Sequence, residues 1–227
     1  FGGFCLSWGG LIVRSFESSS AWDILLLRSI FYFIGVSTFL VLIYKKNLFK
    51  TIKKAGLIGL LGGFVMSFGF IAFVFAMMST SVANVVFTIS TQTMFLALFG
   101  FFYLKEKISL IGLLSIILAM AGISIMINDS ISSGTLFGNL LALTIPISFS
   151  IYVMILRKNS NLDLIPAIWY ASIFSILYSL VMVDSLSFTN NDIFMGFLLG
   201  VPQLTFGFVC ITIGSRTTKS ITIGLLM

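Results

Sequence analysis

The sequence has few of the residues that enzymes use for acid–base and metal chemistry. It contains no histidine and only two cysteines, Cys5 and Cys210, and charged residues make up 9% of its 227 positions. Histidine is the commonest metal ligand and the commonest general base, so both are missing. Each cysteine lies in an apolar stretch, which gives no disulfide framework. We therefore expect no metal site, no cofactor and no enzymatic active site.

Apolar residues, in contrast, are abundant: they make up 59% of the chain, including 25 phenylalanines. A soluble domain could not bury that much apolar surface, so the composition indicates a membrane protein. Nine apolar stretches follow one another, at 1–13, 24–44, 56–77, 82–103, 108–127, 135–156, 165–183, 193–213 and 220–227. The complete ones have about the length that crosses a ~30 Å hydrocarbon core as a helix. Because lipid offers the backbone no hydrogen bonds, we predict an all-α polytopic protein.

Basic residues alternate between the gaps that separate these stretches. Every second gap holds most of them: Lys45, Lys46, Lys50, Lys53, Lys54, Lys105, Lys107, Arg157, Lys158, Arg216 and Lys219. By the positive-inside rule, these gaps face the cytoplasm and the others, where Arg14 is the only basic residue, face outside. This pattern predicts a protein of the cytoplasmic (inner) membrane in contact with lipid, and we expect a bacterial origin. The membrane topology then explains the net charge of +6, which does not indicate nucleic-acid binding.

A weak internal repeat relates the two halves of the chain. A shift of 138 positions places Gly69–Ile71 over Gly207–Val209. Each copy then holds five spans, and an odd number gives the two copies opposite orientations, as in many secondary transporters. We predict two inverted five-helix repeats: 1–127, with a truncated first helix, and 135–227, without its tenth helix. Chance similarity between apolar helices is the alternative.

The fourth stretch carries the clearest polar face. On a helix, five polar side chains fall within an arc of about 100°: Ser81, Asn84, Thr88, Thr91 and Gln92. Lipid satisfies none of them, so the face lies against a substrate pathway or against other helices. We predict that Asn84, Thr88 and Gln92 line the pathway, with interhelical hydrogen bonding as the alternative.

Arg28 is the one charged residue placed within a span. An arginine at a helix centre costs about 2.5–3.5 kcal/mol on insertion scales. Arg28 lies near the outer end of its stretch, so the alternative is that its side chain extends to the membrane surface. The functional interpretation is a cation that faces the cavity and matches an anion on the substrate. No acidic residue is predicted within a span, which argues against proton-coupled export of cations.

Three aromatic residues are candidates for the walls of a substrate cavity: Trp8, Tyr152 and Trp169. Aromatic rings with polar edges suit an organic ligand. Packing within the bundle and anchoring at the membrane surface are the alternatives.

Several motifs resemble a known family. Arg28, the segment Ala76–Asn84 and the segment Leu104–Ser109, followed by Gly112 and Gly122, are similar to motifs of EamA-type permeases in the drug/metabolite transporter (DMT) superfamily. The resemblance implies ten helices in two five-helix repeats, a small-molecule substrate, and export in preference to uptake.

We therefore predict a secondary transporter that moves a small organic metabolite by alternating access. Its electrostatics favour an amino acid or a related zwitterion or anion over a bulky cation. An integral membrane enzyme and a non-transporting scaffold or receptor are the alternatives. A membrane enzyme needs paired interfacial acids or a histidine base, which this sequence does not offer. The sequence predicts no oligomeric state.

Overall fold

The computed structural model describes residues 2–17, 20–105, 110–133, 135–183, 188–215 and 222. Within these ranges the chain is helical and has no strand. The α-helices are α1 (Gly2–Leu6), α2 (Gly9–Arg14), α3 (Ala21–Tyr44), α4 (Leu48–Ser79), α5 (Val82–Ser90), α6 (Gln92–Leu104), α7 (Leu110–Ser133), α8 (Leu136–Lys158), α9 (Ile165–Met182), α10 (Asn190–Leu198) and α11 (Phe206–Gly214). A 3₁₀ turn, Lys45–Asn47, joins α3 to α4, and a π-helical segment, Leu199–Thr205, joins α10 to α11.

Five helical segments of the described chain are long and apolar enough to cross a membrane. They are Ala21–Ser79, Val82–Leu104, Leu136–Lys158, Ile165–Met182 and Asn190–Gly214. The first of them contains two predicted stretches, because the turn between α3 and α4 is itself helical. The all-helical membrane architecture predicted from the sequence is therefore confirmed.

Some predicted features lie outside the described residues. They are Glu106, Lys107, Arg216, Lys219 and, apart from Thr222, the apolar stretch 220–227.

Polar side chains fix where several helices begin. Ser20 Oγ accepts a hydrogen bond from Trp22 N at 3.2 Å, and Ser81 Oγ accepts one from Asn84 N at 3.1 Å. Thr189 and Asp192 form a reciprocal capping box at the start of α10. The Asp192 side chain is buried there, although the sequence places it in an outer gap. It caps the first turn of α10 and is not a carboxylate in the middle of a span.

Three predicted spans contain breaks. The first is interrupted at Ser7–Trp8 between α1 and α2, and the fourth at Thr91 between α5 and α6. In the eighth, Pro202 lies within the π-helical segment. Proline lacks the N–H that an α-helix needs, and a π turn accommodates the interruption. The sixth predicted span also contains a proline, Pro146, but α8 continues through it as one α-helix.

Helix α4 occupies the centre of the bundle and packs against α8 and α9, while α3 packs against α9 and the π-helical segment. Small residues permit these close approaches. A Cβ atom built on Gly63 would lie 2.6 Å from the Ala167 carbonyl oxygen, and one on Gly200 would lie 2.6 Å from Tyr32 N. Both distances are shorter than real Cβ contacts. Glycine therefore sets the spacing between α4 and α9, and between α3 and the π-helical segment.

Candidate functional site

A cavity of about 220 Å³ lies inside the bundle, between α1–α2, α3, α4, α5–α6, α8 and the π-helical segment with the start of α11. Its walls are mainly apolar, with rings and methyl groups from Phe70, Phe73, Ile145, Phe149 and Phe208. Its polar lining comes from Ser7, Arg28, Gln92 and Gln203. An apolar cavity with a few convergent polar groups is the usual form of a small-molecule site. Its volume lies below the ~300–1,000 Å³ typical of drug-sized ligands.

Arg28 is the only described charged residue that lines this cavity. It lies in the second turn of α3 and is 1% exposed, so its side chain does not extend to the end of the helix. Nη2 donates a hydrogen bond to the Phe70 carbonyl oxygen at 2.8 Å. The guanidinium carbon lies 5.3 Å from the Phe70 ring centroid and 5.6 Å from that of Phe73. Aromatic faces and one carbonyl thus hold the cation in place.

The charge of Arg28 has no carboxylate partner among the described residues, and Nε has no hydrogen-bond partner there. A buried charge without a counterion is costly, and membrane proteins place such groups at functional positions. The described residues therefore leave the guanidinium with an unmatched charge and an unused donor. Chemically, the arrangement suits an anion that enters the cavity.

Gln203 is a cavity residue that the sequence reasoning missed. It lies one residue after Pro202 in the π-helical segment and is 4% exposed. Its Nε2 donates to the Leu6 carbonyl oxygen at 3.2 Å, while Oε1 has no partner. The one sequence signal was Pro202, since irregular helical turns often mark functional sites. The break between α1 and α2, which lets the Leu6 carbonyl accept from a side chain, has no comparable sequence signal.

Aromatic side chains pack together along one part of the cavity wall. Phe70 and Phe208 pack edge to face, with ring centroids 5.2 Å apart. Tyr32 contacts both rings, and Phe149 contacts Phe208. Tyr152 lies one turn beyond Phe149 on α8, toward Arg157 and Lys158. We refer to Tyr32, Phe70, Phe149, Tyr152 and Phe208 as the aromatic floor.

A hydrogen bond joins two helices at this floor. The hydroxyl groups of Tyr152 on α8 and Thr212 on α11 lie 2.8 Å apart, and both residues are buried. The Tyr152 ring also packs against Phe208, with centroids 6.5 Å apart. Tyr152, which the sequence predicts as a cavity wall, thus lies behind the wall formed by Phe149 and Phe208.

The predicted polar face of the fourth span divides between two roles. Gln92 lines the cavity. Thr88 Oγ1 donates to the Asn84 carbonyl oxygen at 2.8 Å and contacts the Met126 sulfur at 3.6 Å. Asn84 Nδ2 donates to Thr80 Oγ1, which in turn donates to Asn139 Oδ1 on α8. Asn84 is thus linked through Thr80 to α8, while the Thr88 hydroxyl bonds within its own helix. Gln92 lines the same cavity as Arg28. Contact of the three residues with substrate stays a prediction.

The two predicted tryptophans lie away from the cavity. Trp169 Nε1 donates to Ser37 Oγ at 2.9 Å, which joins α9 to α3. Trp8 is 54% exposed and lines a separate apolar groove beside α10. Their predicted contact with substrate stays a prediction.

These features define an integral membrane protein with a central, largely apolar cavity. The sequence model of the EamA-like transporter family matches residues 2–128, more than half of the chain. The chain therefore belongs to the EamA-like transporter family, which is part of the drug/metabolite transporter superfamily. No curated protein and no solved structure is significantly similar to it.

Proposed function

We propose that this protein is a secondary transporter that carries a small organic metabolite through the cavity around Arg28. The preferred cargo is an amino acid or a related zwitterion or anion. It is moved by alternating access across the cytoplasmic membrane, in the export direction. Family membership supports transport in general. The observation that supports this cargo class is the buried Arg28 guanidinium, which has no carboxylate partner within the described part of the chain.

Helix packing supports the inverted repeat on which alternating access would depend. If 1–127 and 135–227 are inverted copies, each contact between spans of the two copies should have a symmetric counterpart. Helix α4, the third span of the first copy, packs against α8, the first span of the second copy, and the counterpart of this contact is the packing of α1 against α11. Helices α3 and α9, the second span of each copy, pack against each other. The family match also ends at residue 128, next to the proposed boundary.

The position of the aromatic floor supports the proposal that the cavity opens to one side of the membrane at a time. Tyr152 and Thr212 lie at the floor on the side of Arg157 and Lys158, which the positive-inside rule places at the cytoplasm. In this state the floor would separate the cavity from the cytoplasm. Transport would require the Tyr152–Thr212 hydrogen bond and the Phe70–Phe208 contact to open while the opposite end closes. Small interhelical contacts of this kind suit a switching element.

Counterflow in proteoliposomes tests the proposed function. The full-length protein is reconstituted, vesicles are loaded with one unlabelled compound, and uptake of its labelled form is followed. Amino acids, nucleotides and quaternary amines are scanned in separate experiments. The proposal predicts saturable exchange with small zwitterions or anions and none with quaternary amines. An absence of saturable exchange with every class would contradict transport itself and favour a scaffold or receptor.

A further inference from the structure

We propose that Gln203 is a second ligand-recognising residue of the cavity, and that Gln203 and Arg28 together select a cargo with both an N–H donor and a carboxylate. This inference rests on the transport function proposed above and narrows its substrate class to small zwitterions with an apolar side chain. In this proposal the ammonium group is recognised by Gln203, which lies outside the polar face predicted for the fourth span.

The surroundings of Gln203 determine which end of its amide is free. The Leu6 carbonyl can only accept a hydrogen bond, so Nε2 must be the atom that faces it. Gly9 leaves room for this arrangement, since a Cβ atom there would lie 2.3 Å from Nε2. Oε1 is then the free end, buried and without a partner. A buried acceptor in this condition favours a ligand that donates to it.

Close packing between α3 and the π-helical segment fixes Gln203 relative to Arg28. A Cβ atom on Gly200 would lie 2.8 Å from the Arg28 carbonyl oxygen, so the two backbones are in direct contact. Thr205 Oγ1 donates to the Gly200 carbonyl oxygen at 2.9 Å, which supports the π turn. A Cβ atom on Gly35 would lie 2.4 Å from the same hydroxyl oxygen, which holds the other end of the segment against α3. The two cavity residues are therefore parts of one packed unit.

The two unpaired atoms are chemically complementary to a zwitterion. Arg28 Nε is a donor on a cation, and Gln203 Oε1 is a neutral acceptor. A carboxylate satisfies the first, and an ammonium group satisfies the second. A simple monocarboxylate leaves Oε1 unsatisfied, and a simple amine leaves the guanidinium without a counterion. The phenylalanine rings and Ile145 that form the walls suit an aliphatic or aromatic side chain on the same ligand.

Matched ligands provide the test. The probes are leucine, 4-methylpentanoate, which lacks the amine, and 3-methylbutylamine, which lacks the carboxylate. Each competes for counterflow in the proteoliposomes and is titrated against the detergent-solubilised protein by thermal shift. Leucine should bind at least about tenfold more tightly than either analogue, because each analogue leaves one buried group unsatisfied.

A substitution separates recognition from folding. Gln203→Leu should weaken leucine binding about tenfold and leave 4-methylpentanoate within about twofold, so the preference for the amino acid is lost. A purely structural role would weaken both ligands together. Thr38→Val is the matched control, because Thr38 is an exposed residue of α3 that donates only to the Ile34 carbonyl of its own helix. It should leave both affinities and their ratio unchanged.

Two binding results would overturn the inference. One is equal binding of leucine and 4-methylpentanoate to the wild-type protein; the other is a parallel loss of both ligands in Gln203→Leu. Saturable counterflow of another compound class, with no response to leucine, would overturn the zwitterion assignment and leave the transport function standing. Absence of counterflow with every class would contradict the transport function, which distinguishes the two failures.

Discussion

Phe70 of α4 and Phe208 of α11 pack edge to face at the floor of the central cavity, with ring centroids 5.2 Å apart. These are the two phenylalanines that the 138-residue shift aligns in the sequence. Under the proposed inverted repeat, the equivalent residue of each half meets its counterpart near the pseudo-two-fold axis. On that proposal, the contact joins the two halves at the point that would open during transport.

Loss of the Phe208 ring should open the floor. Phe208→Ala removes contacts with Phe70, Phe149 and Tyr152, and we expect it to lower stability by about 3–5 kcal/mol. It should also increase passive leakage of small solutes from loaded vesicles. Phe206→Ala is the matched control, because Phe206 lies on the same helix and is 50% exposed. Equal stability and equal leakage of the two variants would show that the floor does not close the cavity.

The hydrogen bond between Tyr152 and Thr212 should couple α8 to α11 energetically. Hydrogen bonds between membrane helices average about 0.6 kcal/mol. Tyr152→Phe and Thr212→Val should each lower the free energy of unfolding in mixed micelles by an amount of this order. The double variant should lose no more than the larger single effect, because the pair shares one interaction. Strictly additive losses in this double-mutant cycle would exclude the coupling.

Close packing at Gly200 should be sensitive to a single methyl group. Gly200→Ala places a Cβ atom 2.5 Å from Phe31 Cβ and 2.6 Å from Tyr32 N. We expect destabilisation by about 1–3 kcal/mol, as for other overpacked positions, and a lower melting temperature in detergent. Gly214→Ala, where nothing lies within 4 Å, is the control and should be neutral or slightly stabilising. A larger loss in the control would contradict the packing between α3 and the π-helical segment.

Gln92 should contribute to substrate binding in the cavity, whereas its neighbour Thr93 should not. Gln92→Leu replaces a polar lining group with an apolar one and should raise the KM of counterflow severalfold, since one hydrogen-bonding group is lost. Thr93→Val is the control, because Thr93 makes only a long 3.5 Å contact to the Ser90 carbonyl. Kinetic constants measured side by side for the two variants give the comparison, and equal constants would remove Gln92 from the site.

The sequence predicted the membrane architecture, and it indicated Arg28 as a charge within a span, where the structure places it beside the cavity. Hydropathy and charge indicate directly whether a segment lies in lipid or in water, so the helical membrane spans could be predicted from the sequence. Arg28 was conspicuous because lipid makes a charged side chain costly. In each case the physical cause acts locally, on one stretch of chain.

Which of the other polar residues line the cavity depends on where the helices break. A continuous fourth helix would carry Asn84, Thr88 and Gln92 on one face, but the chain is interrupted at Thr91, and the Thr88 hydroxyl bonds to its own helix. Hydroxyl groups often bond to a carbonyl in the preceding turn, which a helical projection ignores. Pro202 marks an irregular turn beside Gln203, but the contact of Gln203 with the Leu6 carbonyl depends on a break between α1 and α2 nearly 200 positions away, which no local pattern indicates.

Counterflow of a small zwitterion by the wild-type protein and two Arg28 variants tests the central claim most directly. Arg28→Ala should reduce saturable exchange at least about tenfold, because it removes the cation that matches the carboxylate. Arg28→Lys keeps the charge and should retain intermediate activity, since lysine cannot reproduce the planar contacts with Phe70 and Phe73. All three proteins should show comparable folding by melting temperature. Exchange that is unchanged in Arg28→Ala, in vesicles that hold equal amounts of folded protein, would contradict the account.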